Sequence, residues 1–361
     1  MKIRLRSDSR GIALIMVMVS VFVLGILAGG FAYSMKIEMR LAQNHNSEDE
    51  LEWLGRSGVE LASYVVAQQL TIPNERYDAL NQKWAGGIGV TNENLADIDL
   101  DNIQLGSGSF SVKIIDQERF FNVNVADQVI LRQAMTLIGV DAAESPAIID
   151  SILDWIDADD AKRLSGAEST YYLGLPAPYY AKNGPIDDLT ELMLVKDITP
   201  EMYWGPAGTN YATTASIAPP TRVQSKRLHR DETLDYQVGL KDLFTPLSGR
   251  LINVNTASAA VLQLIPNIDS NIAQAIVQTR AGPDGVEGNE DDTPFRNVGE
   301  LINVPGMDRG LVGQIGRYFS VMSATYEVHV TARIGNYQKT YVAMIRRNSP
   351  KDVQTLFFNW K

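Results

Sequence analysis

A basic leader, Met1-Lys2-Ile3-Arg4-Leu5-Arg6-Ser7-Asp8-Ser9-Arg10-Gly11, opens directly onto an uncharged apolar run from Ile12 to about Phe31. A run of roughly 20 residues makes a helix of about 30 Å, enough to cross the hydrocarbon core of a bilayer. It is longer than the apolar core of a secretory signal peptide, and no small-residue cleavage site follows it. Nothing breaks the helical pattern until Pro73, so the spanning helix is expected to continue into polar sequence. Lys2, Arg4, Arg6 and Arg10 place the N-terminal end on the cytoplasmic side. The 361-residue chain has a net charge of −11, so the mass beyond the membrane is acidic and poorly suited to nonspecific binding of nucleic-acid phosphates. There are no cysteines, which removes disulfides, thiol catalysis and Cys-ligated zinc.

Beyond the span, Leu51, Leu54, Val59, Leu61, Val65 and Val66 recur at helical spacing on one face. This predicts an amphipathic helix from Gln43 to Gln69, weakened at Gly55 and Gly58 and ended by Pro73-Asn74. Strand patterns follow at Ser109–Asp116, and again at Tyr318–Ser323, Tyr326–Arg333 and Lys339–Arg346, with a turn at Ile334–Tyr337. A sheet that opens near residue 108 and is completed after 318 must accommodate a long excursion, which reads as an inserted domain.

The insertion carries an internal repeat. Phe121-Asn122-Val123-Asn124-Val125-Ala126 is echoed by Ile252-Asn253-Val254-Asn255-Thr256-Ala257. Leu189-Thr190-Glu191-Leu192-Met193-Leu194-Val195 is echoed by Val298-Gly299-Glu300-Leu301-Ile302-Asn303-Val304. Helical segments lie between the markers, and each asparagine is expected to cap a helix start. Two small helical domains in tandem are implied, with the Gly-, Ser- and Pro-rich stretch that begins at Ala207 as the link between them.

The N-terminal stretch RGIALIMVMVSVFVLGILAGGFAYSMKIEMRLAQN resembles that of type IV pilin-like proteins. The resemblance implies cleavage after Gly11 by a prepilin peptidase, leaving a methylated Ile12 as the new N-terminus. Most such proteins carry Glu at the fifth mature position, where this chain has Met16. That departure, the duplicated N-x-N markers, and the DWIDAD, PYY and NGPIDDLTELMLV segments resemble the type II secretion minor pseudopilin K family. The resemblance implies an α+β fold: a pilin-like transmembrane helix and antiparallel sheet, with a large α-helical insertion of two SAM-like, helix-hairpin-helix-like domains. The implied boundaries are leader 1–11, transmembrane helix 12–32 and amphipathic stalk 33–72. The pilin-like head would comprise 73–120 and 318–350, with a first helical domain at 121–206, a linker at 207–250 and a second helical domain at 251–317. The resemblance also implies a single-pass protein of the cell inner membrane with its head in the periplasm. Its partners would be the prepilin peptidase, the major pseudopilin and other minor pseudopilins in a tip complex, with secreted substrate or the outer-membrane secretin as further contacts.

Two acidic loops carry the oxygen ligands that calcium prefers. One offers Asp284, Glu287, Asp291 and Asp292 within a glycine-rich stretch; the other offers Asp154, Asp157, Asp159, Asp160 and Glu168. The spacing of the first is not that of an EF-hand, and the alternative reading of both is a solvated loop with capping aspartates. Calcium binding is known in the family, which raises both sites as candidates.

Three alternatives remain from the residues alone. The INVNTASAAVLQLIP and ELINVPGM segments resemble helix-hairpin-helix DNA receptors, but Asn267-Ile268-Asp269 and Gly306-Met307-Asp308 put an aspartate where a phosphate would approach. A type IV pilus minor pilin would share the N-terminal features, and so would a simple anchored periplasmic domain. No enzyme is expected: His45, His229 and His329 sit in unrelated contexts, and neither G-x-S-x-G nor H-E-x-x-H occurs.

Overall fold

The computed structural model describes residues 10–87, 95–205 and 238–360, with the backbone alone at 10–12 and 40–46. The leader before Arg10 and most of the predicted linker therefore lie outside the described residues. Helix α1 (Arg10–Gln69) runs 60 residues without a break, about 90 Å at 1.5 Å per residue. Its Ala13–Met39 portion has a mean hydropathy of 2.6 and none of it is buried, so it is long and apolar enough to cross a membrane. Its C-terminal portion buries Leu51, Leu54, Val59, Ala62, Val65 and Val66 against the sheet. The predicted weakening at Gly55 and Gly58 is corrected by the packing. A Cβ at Gly55 would overlap the Tyr341 ring, and one at Gly58 would overlap the Val330 side chain. Both glycines serve a close approach of helix to sheet, not a local softening.

The main sheet is antiparallel, in the order β1-β2-β7-β8-β9. Its strands are β1 (Ile103–Leu105), β2 (Gly108–Asp116), β7 (Thr325–Ile334), β8 (Tyr337–Ser349) and β9 (Asp352–Trp360). Period-2 alternation sends Phe110, Val112, Ile114, Tyr326, Val328, Val330, Tyr341 and Ala343 to the α1 face. Strands β1 and β9 were not foreseen, and the head extends to Trp360 instead of ending at 350. The predicted strand at Tyr318–Ser323 is not part of this sheet.

That segment closes the insertion instead. Two short parallel pairs bracket the two halves: β3 (Phe121–Asn122) with β4 (Phe244–Thr245), and β5 (Ile252–Asn253) with β6 (Phe319–Ser320). The first unit contains helices α2 (Gln128–Leu137) and α3 (Ser145–Ile156), and the second contains the helix Ser270–Arg280. The repeat therefore ends on Phe244-Thr245 in one copy and Phe319-Ser320 in the other. The linker boundary at 250 is corrected accordingly: Leu240, Leu243 and Phe244 belong to the core of the first unit. The two units are not separate globules either, because one continuous apolar core runs from Phe121 and Ile149 through Phe244 and Ile252 to Leu301 and Phe319.

The N-x-N markers have a common geometry. Asn122 and Asn253 each accept the backbone N–H two residues on, from Asn124 and Asn255. Asn124 then exchanges two hydrogen bonds with the backbone of Ile186, and Asn255 does the same with Phe295. The first asparagine turns the chain, as expected of a cap; the second clamps a loop 62 residues away in one copy and 40 in the other.

Head and insertion meet through buried polar groups. Arg347 pairs with Asp78, with the two side chains 1% and 0% exposed, and donates to the carbonyls of Val66 and Ser323. Asp116, at the end of β2, accepts from Thr256 and Ser323 and from Asn253 of the second unit. Burial, with Glu118 adding to it, pushes the Asp116 carboxyl up to about 8 against the pull of those hydroxyl donors.

Gly58→Ala should act through this packing. Overfilling a closed helix–sheet contact costs about 1–3 kcal/mol. The melting temperature of the detergent-solubilised chain is expected to fall by several degrees, whereas Gly25→Ala, in open space on the span, should leave it unchanged.

Candidate metal centre

The loop after α3 gathers carboxylates that the sequence scatters from Asp157 to Glu168. Ligand oxygens of Asp157, Asp159 and Glu168 lie within 4.8 Å of one another. Glu168 is only 2% exposed, and neither of its carboxylate oxygens has a hydrogen-bond partner. Asp157 Oδ1 and Asn183 Oδ1 are likewise buried without partners. Burial, then the charges of Asp154, Asp157, Asp160 and Asp159, push the Glu168 carboxyl up to about 7. In the same unit, Trp155 packs edge-on against Tyr172 at 5.3 Å, and Tyr172 stacks on Tyr179 at 5.2 Å.

The other two predicted residues of this loop do different work. Asp154 is fully buried and already engaged, accepting the Arg163 backbone N–H and pairing with its guanidinium at 3.3 Å. The chain passes so close to it at Gly166 that a Cβ there would overlap the Asp154 carboxylate. Asp160 Oδ1 accepts from Ser169 Oγ and from Asn183 Nδ2, which aims the Asn183 carbonyl oxygen elsewhere. Asn183 escaped the sequence reading; its only signal was an Asn-Gly pair, realised as a left-handed residue with φ 48°.

The second loop occupies the equivalent place in the second unit, between the helix Ser270–Arg280 and the clamp at Phe295. It is largely satisfied by itself. Asp284 accepts from Val286 N and Asn289 Nδ2, Asp291 from Asp284 N, and Asp292 from Gly288 N. Glu287 pairs with Arg280 at 2.5 Å, and Arg280, 3% exposed, also donates to the Val254 carbonyl. Asp292 Oδ1 is the one buried carboxylate oxygen of this loop without a partner among the described residues. The Asp157–Asp159–Glu168 cluster leaves more buried carboxylate oxygens without a partner than this loop does.

Two stretches of the chain, residues 96–204 and 252–321, match family profiles that are both described as "Type II secretion system (T2SS), protein K". The second stretch coincides with the unit bracketed by β5 and β6. The chain is 25% identical over 367 residues to the type II secretion system protein K of Pseudomonas aeruginosa, covering 98% of this chain and 93% of that one. It is 24% identical over 219 residues to the putative type II secretion system protein K of Escherichia coli K12, a match that spans 55% of this chain and 61% of the relative. The chain belongs to the type II secretion system protein K family. Its fold also matches a chain in the crystal structure of the GspK-GspI-GspJ complex from the enterotoxigenic Escherichia coli type 2 secretion system. That match has a TM-score of 0.62 at 18% identity, covering 89% of this chain and 99% of that one.

Within this protein K fold the helical hairpins are built against phosphate. Asp269 accepts the Ile272 N–H and Asp308 the Leu311 N–H, so carboxylates already cap the helix starts that a DNA backbone would need. His329 pairs with Glu327 on β7, and His229 falls outside the described residues.

The Glu168 carboxyl gives a pH signature in the absence of metal. Its folded pKa, about 7, lies above the ordinary value, so the fold holds the extra proton and loses stability as pH rises from about 4.5 to 7. Glu168→Gln should therefore raise the melting temperature of chelator-treated protein at pH 8, and change it little at pH 4, in calorimetric scans.

Proposed function

We propose that this chain is a minor pseudopilin seated at the tip of a type II secretion pseudopilus, where it initiates or caps assembly and so aids export of folded proteins across the outer membrane. The observation that carries the reading is α1. One uninterrupted helix joins an apolar span to the core of a pilin-like sheet, and the bulky insertion interrupts that sheet between β2 and β7. A helix of this kind can leave the membrane only by exchanging lipid for the apolar helices of other subunits, an exchange driven by packing. A head enlarged by roughly 200 residues does not fit the interior of a thin filament, which favours the end position. Met16, 64% exposed on the span, stands where other pilin-like chains place a carboxylate for the subunit above. A tip subunit has no such neighbour.

The partners in this reading are other minor pseudopilins, as in the relative solved with GspI and GspJ, together with the major pseudopilin below them. The prepilin peptidase would act between Gly11 and Ile12, the inner membrane would hold the span, and the head would lie in the periplasm. Secreted substrate or the secretin would meet the tip. The work of this protein is assembly, with no reaction catalysed.

Calcium fits the first acidic loop on the chemistry of its donors. Asp157, Asp159 and Glu168 supply three carboxylates, hard donors of the type calcium takes. The ion would supply the positive charge that lets Glu168 ionise inside the fold. The Asp284, Asp291 and Asp292 loop is the lesser candidate.

Two measurements test these statements. Intact-mass and N-terminal analysis of protein from membranes should show a chain beginning at methylated Ile12 only when active prepilin peptidase is present; an uncleaved chain in both samples sinks the pseudopilin assignment. Added calcium should raise the melting temperature of chelator-treated protein by several degrees, since a ligand at 100 times its Kd stabilises by about 2.7 kcal/mol. Asp157→Asn combined with Glu168→Gln should abolish most of that shift, and a full shift in the double variant would move the ion elsewhere.

A further inference from the structure

The two edges of the main sheet are treated very differently. At one end β1 is three residues long and turns back at once through Gly106 into β2, so little backbone is left open. At the other end β9 offers nine residues, about 30 Å of strand. Its backbone pairs with β8 on one side, and among the described residues no other backbone hydrogen bond reaches it. Soluble sheets normally blunt such an edge with lysines, a proline, short length or a cover. Within Asp352–Trp360 there is no proline and no lysine, and Asp352 is the sole charge. Val353 and Phe358 are half-buried against the α1 side, while large apolar side chains stay open: Leu356 is 52% exposed, Phe357 38% and Trp360 71%. An edge of this length and chemistry is a template for another strand.

The position of the edge narrows what that strand belongs to. Strand β9 lies along the flank of α1. The Arg56 guanidinium of α1 sits 4.9 Å from the Phe358 ring centroid, and Phe358 stacks on Tyr341, the same ring that Gly55 of α1 approaches. Just beside it on the helix, Trp53 is 70% exposed. A subunit whose apolar N-terminal helix packs alongside Ala13–Met39 on this flank would carry its own head up against β9. Its sheet edge would then face Leu356, Phe357 and Trp360.

We infer that β9 is a docking edge that pairs, strand to strand, with the sheet edge of a neighbouring pilin-type head. This rests on the pseudopilin reading and deepens it by naming the surface used. Backbone hydrogen bonds along β9 supply the pairing, and the aromatic side chains on its two faces exclude water from it. The partner strand is expected to be predominantly apolar, because β9 itself carries a single charge, Asp352, and the nearby cations Arg56 and Lys339 already lie over its Phe358 and Trp360 rings. The junction is directional: β1 is too short to serve, so a single neighbour is recruited by strand pairing.

The test uses the full chain, in membranes, coexpressed with the other minor pseudopilins. A photo-crosslinking phenylalanine analogue is placed at Trp360, at Leu105 on the opposite edge, or at Met18 on the apolar span. The expected result is an adduct from the Trp360 position whose mass and peptides identify another pilin-type subunit, with far less from Leu105. An adduct from Trp360 to a second copy of this chain, to a secreted protein, or to residues 206–237 of the same chain overturns the inference. So does an absence of adduct there while Met18 crosslinks to other subunits, an outcome that leaves the pseudopilin reading standing. Absence at both Trp360 and Met18 counts against both. In parallel, Leu356→Lys with Trp360→Lys should reduce copurifying partner about tenfold, or 1.4 kcal/mol, while the thermal unfolding of the chain alone stays unchanged. Undiminished copurification by this variant, which places two repelling charges on the edge, would also overturn the inference.

Discussion

The pairing of Arg347 with Asp78 is the constraint that the rest of the molecule depends on. Arg347 belongs to β8, its carbonyl partners Val66 and Ser323 belong to the end of α1 and the return from the insertion, and Asp78 comes from the segment after α1. One guanidinium thus holds four stretches of chain that are far apart in sequence. Its five donors in a fixed fork suit such a junction better than a lysine would. Removing one member of a buried pair strands the other charge, at a cost of about 3–5 kcal/mol. The pair is shielded by the Tyr326 ring, 5.2 Å from the guanidinium carbon, and Trp84 closes over that ring in turn. Asp116 and Glu118 extend the same network into the insertion, where Glu118 accepts from Gly249, Ala324 and Thr325. The insertion is therefore not tethered by a flexible hinge; its entry and exit are hydrogen-bonded to the sheet it interrupts.

Duplication explains the organisation of the insertion. Each copy enters on a strand ending in Asn, turns on that Asn, and clamps a later loop with a second Asn two residues on. Each then closes by a parallel pair of two residues, Phe121-Asn122 with Phe244-Thr245 and Ile252-Asn253 with Phe319-Ser320. The clamp needs an amide because it must accept one backbone N–H and donate to one backbone carbonyl at the same site; neither a carboxylate nor a lysine does both. Because the acidic loops lie between the second helix and the clamp in each copy, they occupy equivalent places. They have diverged in how charge is met. In the second copy Arg280 and the loop's own N–H groups answer the carboxylates. In the first, Arg163 serves Asp154 and Asp157 Oδ2, leaving Glu168 and Asp157 Oδ1 with nothing from the protein. The first copy thus keeps buried carboxylate oxygens that no protein group answers among the described residues.

Much of this was legible in the sequence, because its signals are local. The uncharged run from Ile12, the 3.6-residue stripe from Leu51 to Val66, and the alternation in Ser109–Asp116 and Tyr326–Arg333 each specify an element through nearest neighbours alone. The N-x-N repeats announced a duplicated insertion, and the acidic loops announced themselves by charge. What the sequence left open were pairings over long separations. Phe319-Ser320 has the composition of a sheet strand, and only its parallel partner Ile252-Asn253 assigns it to the helical insertion. Gly55 and Gly58 look like helix breakers until Tyr341 and Val330 are seen beside them. Asn183, without charge or repeat to mark it, could not be joined to Asp160 by any spacing rule.

The sequence by itself therefore determined a Cys-free, acidic α+β chain with an N-terminal helix long and apolar enough to cross a membrane and two related helical units inside a pilin-like sheet. Hydrophobic periodicity and charge bias act over a few residues and are written directly in the order of side chains. Only the tertiary structure decided which carboxylates lack a partner, which edge of the sheet stays open, and where one unit ends and the next begins. Desolvation, strand pairing and steric fit depend on residues that meet in space after separations of tens to hundreds of positions, and linear order does not record those meetings.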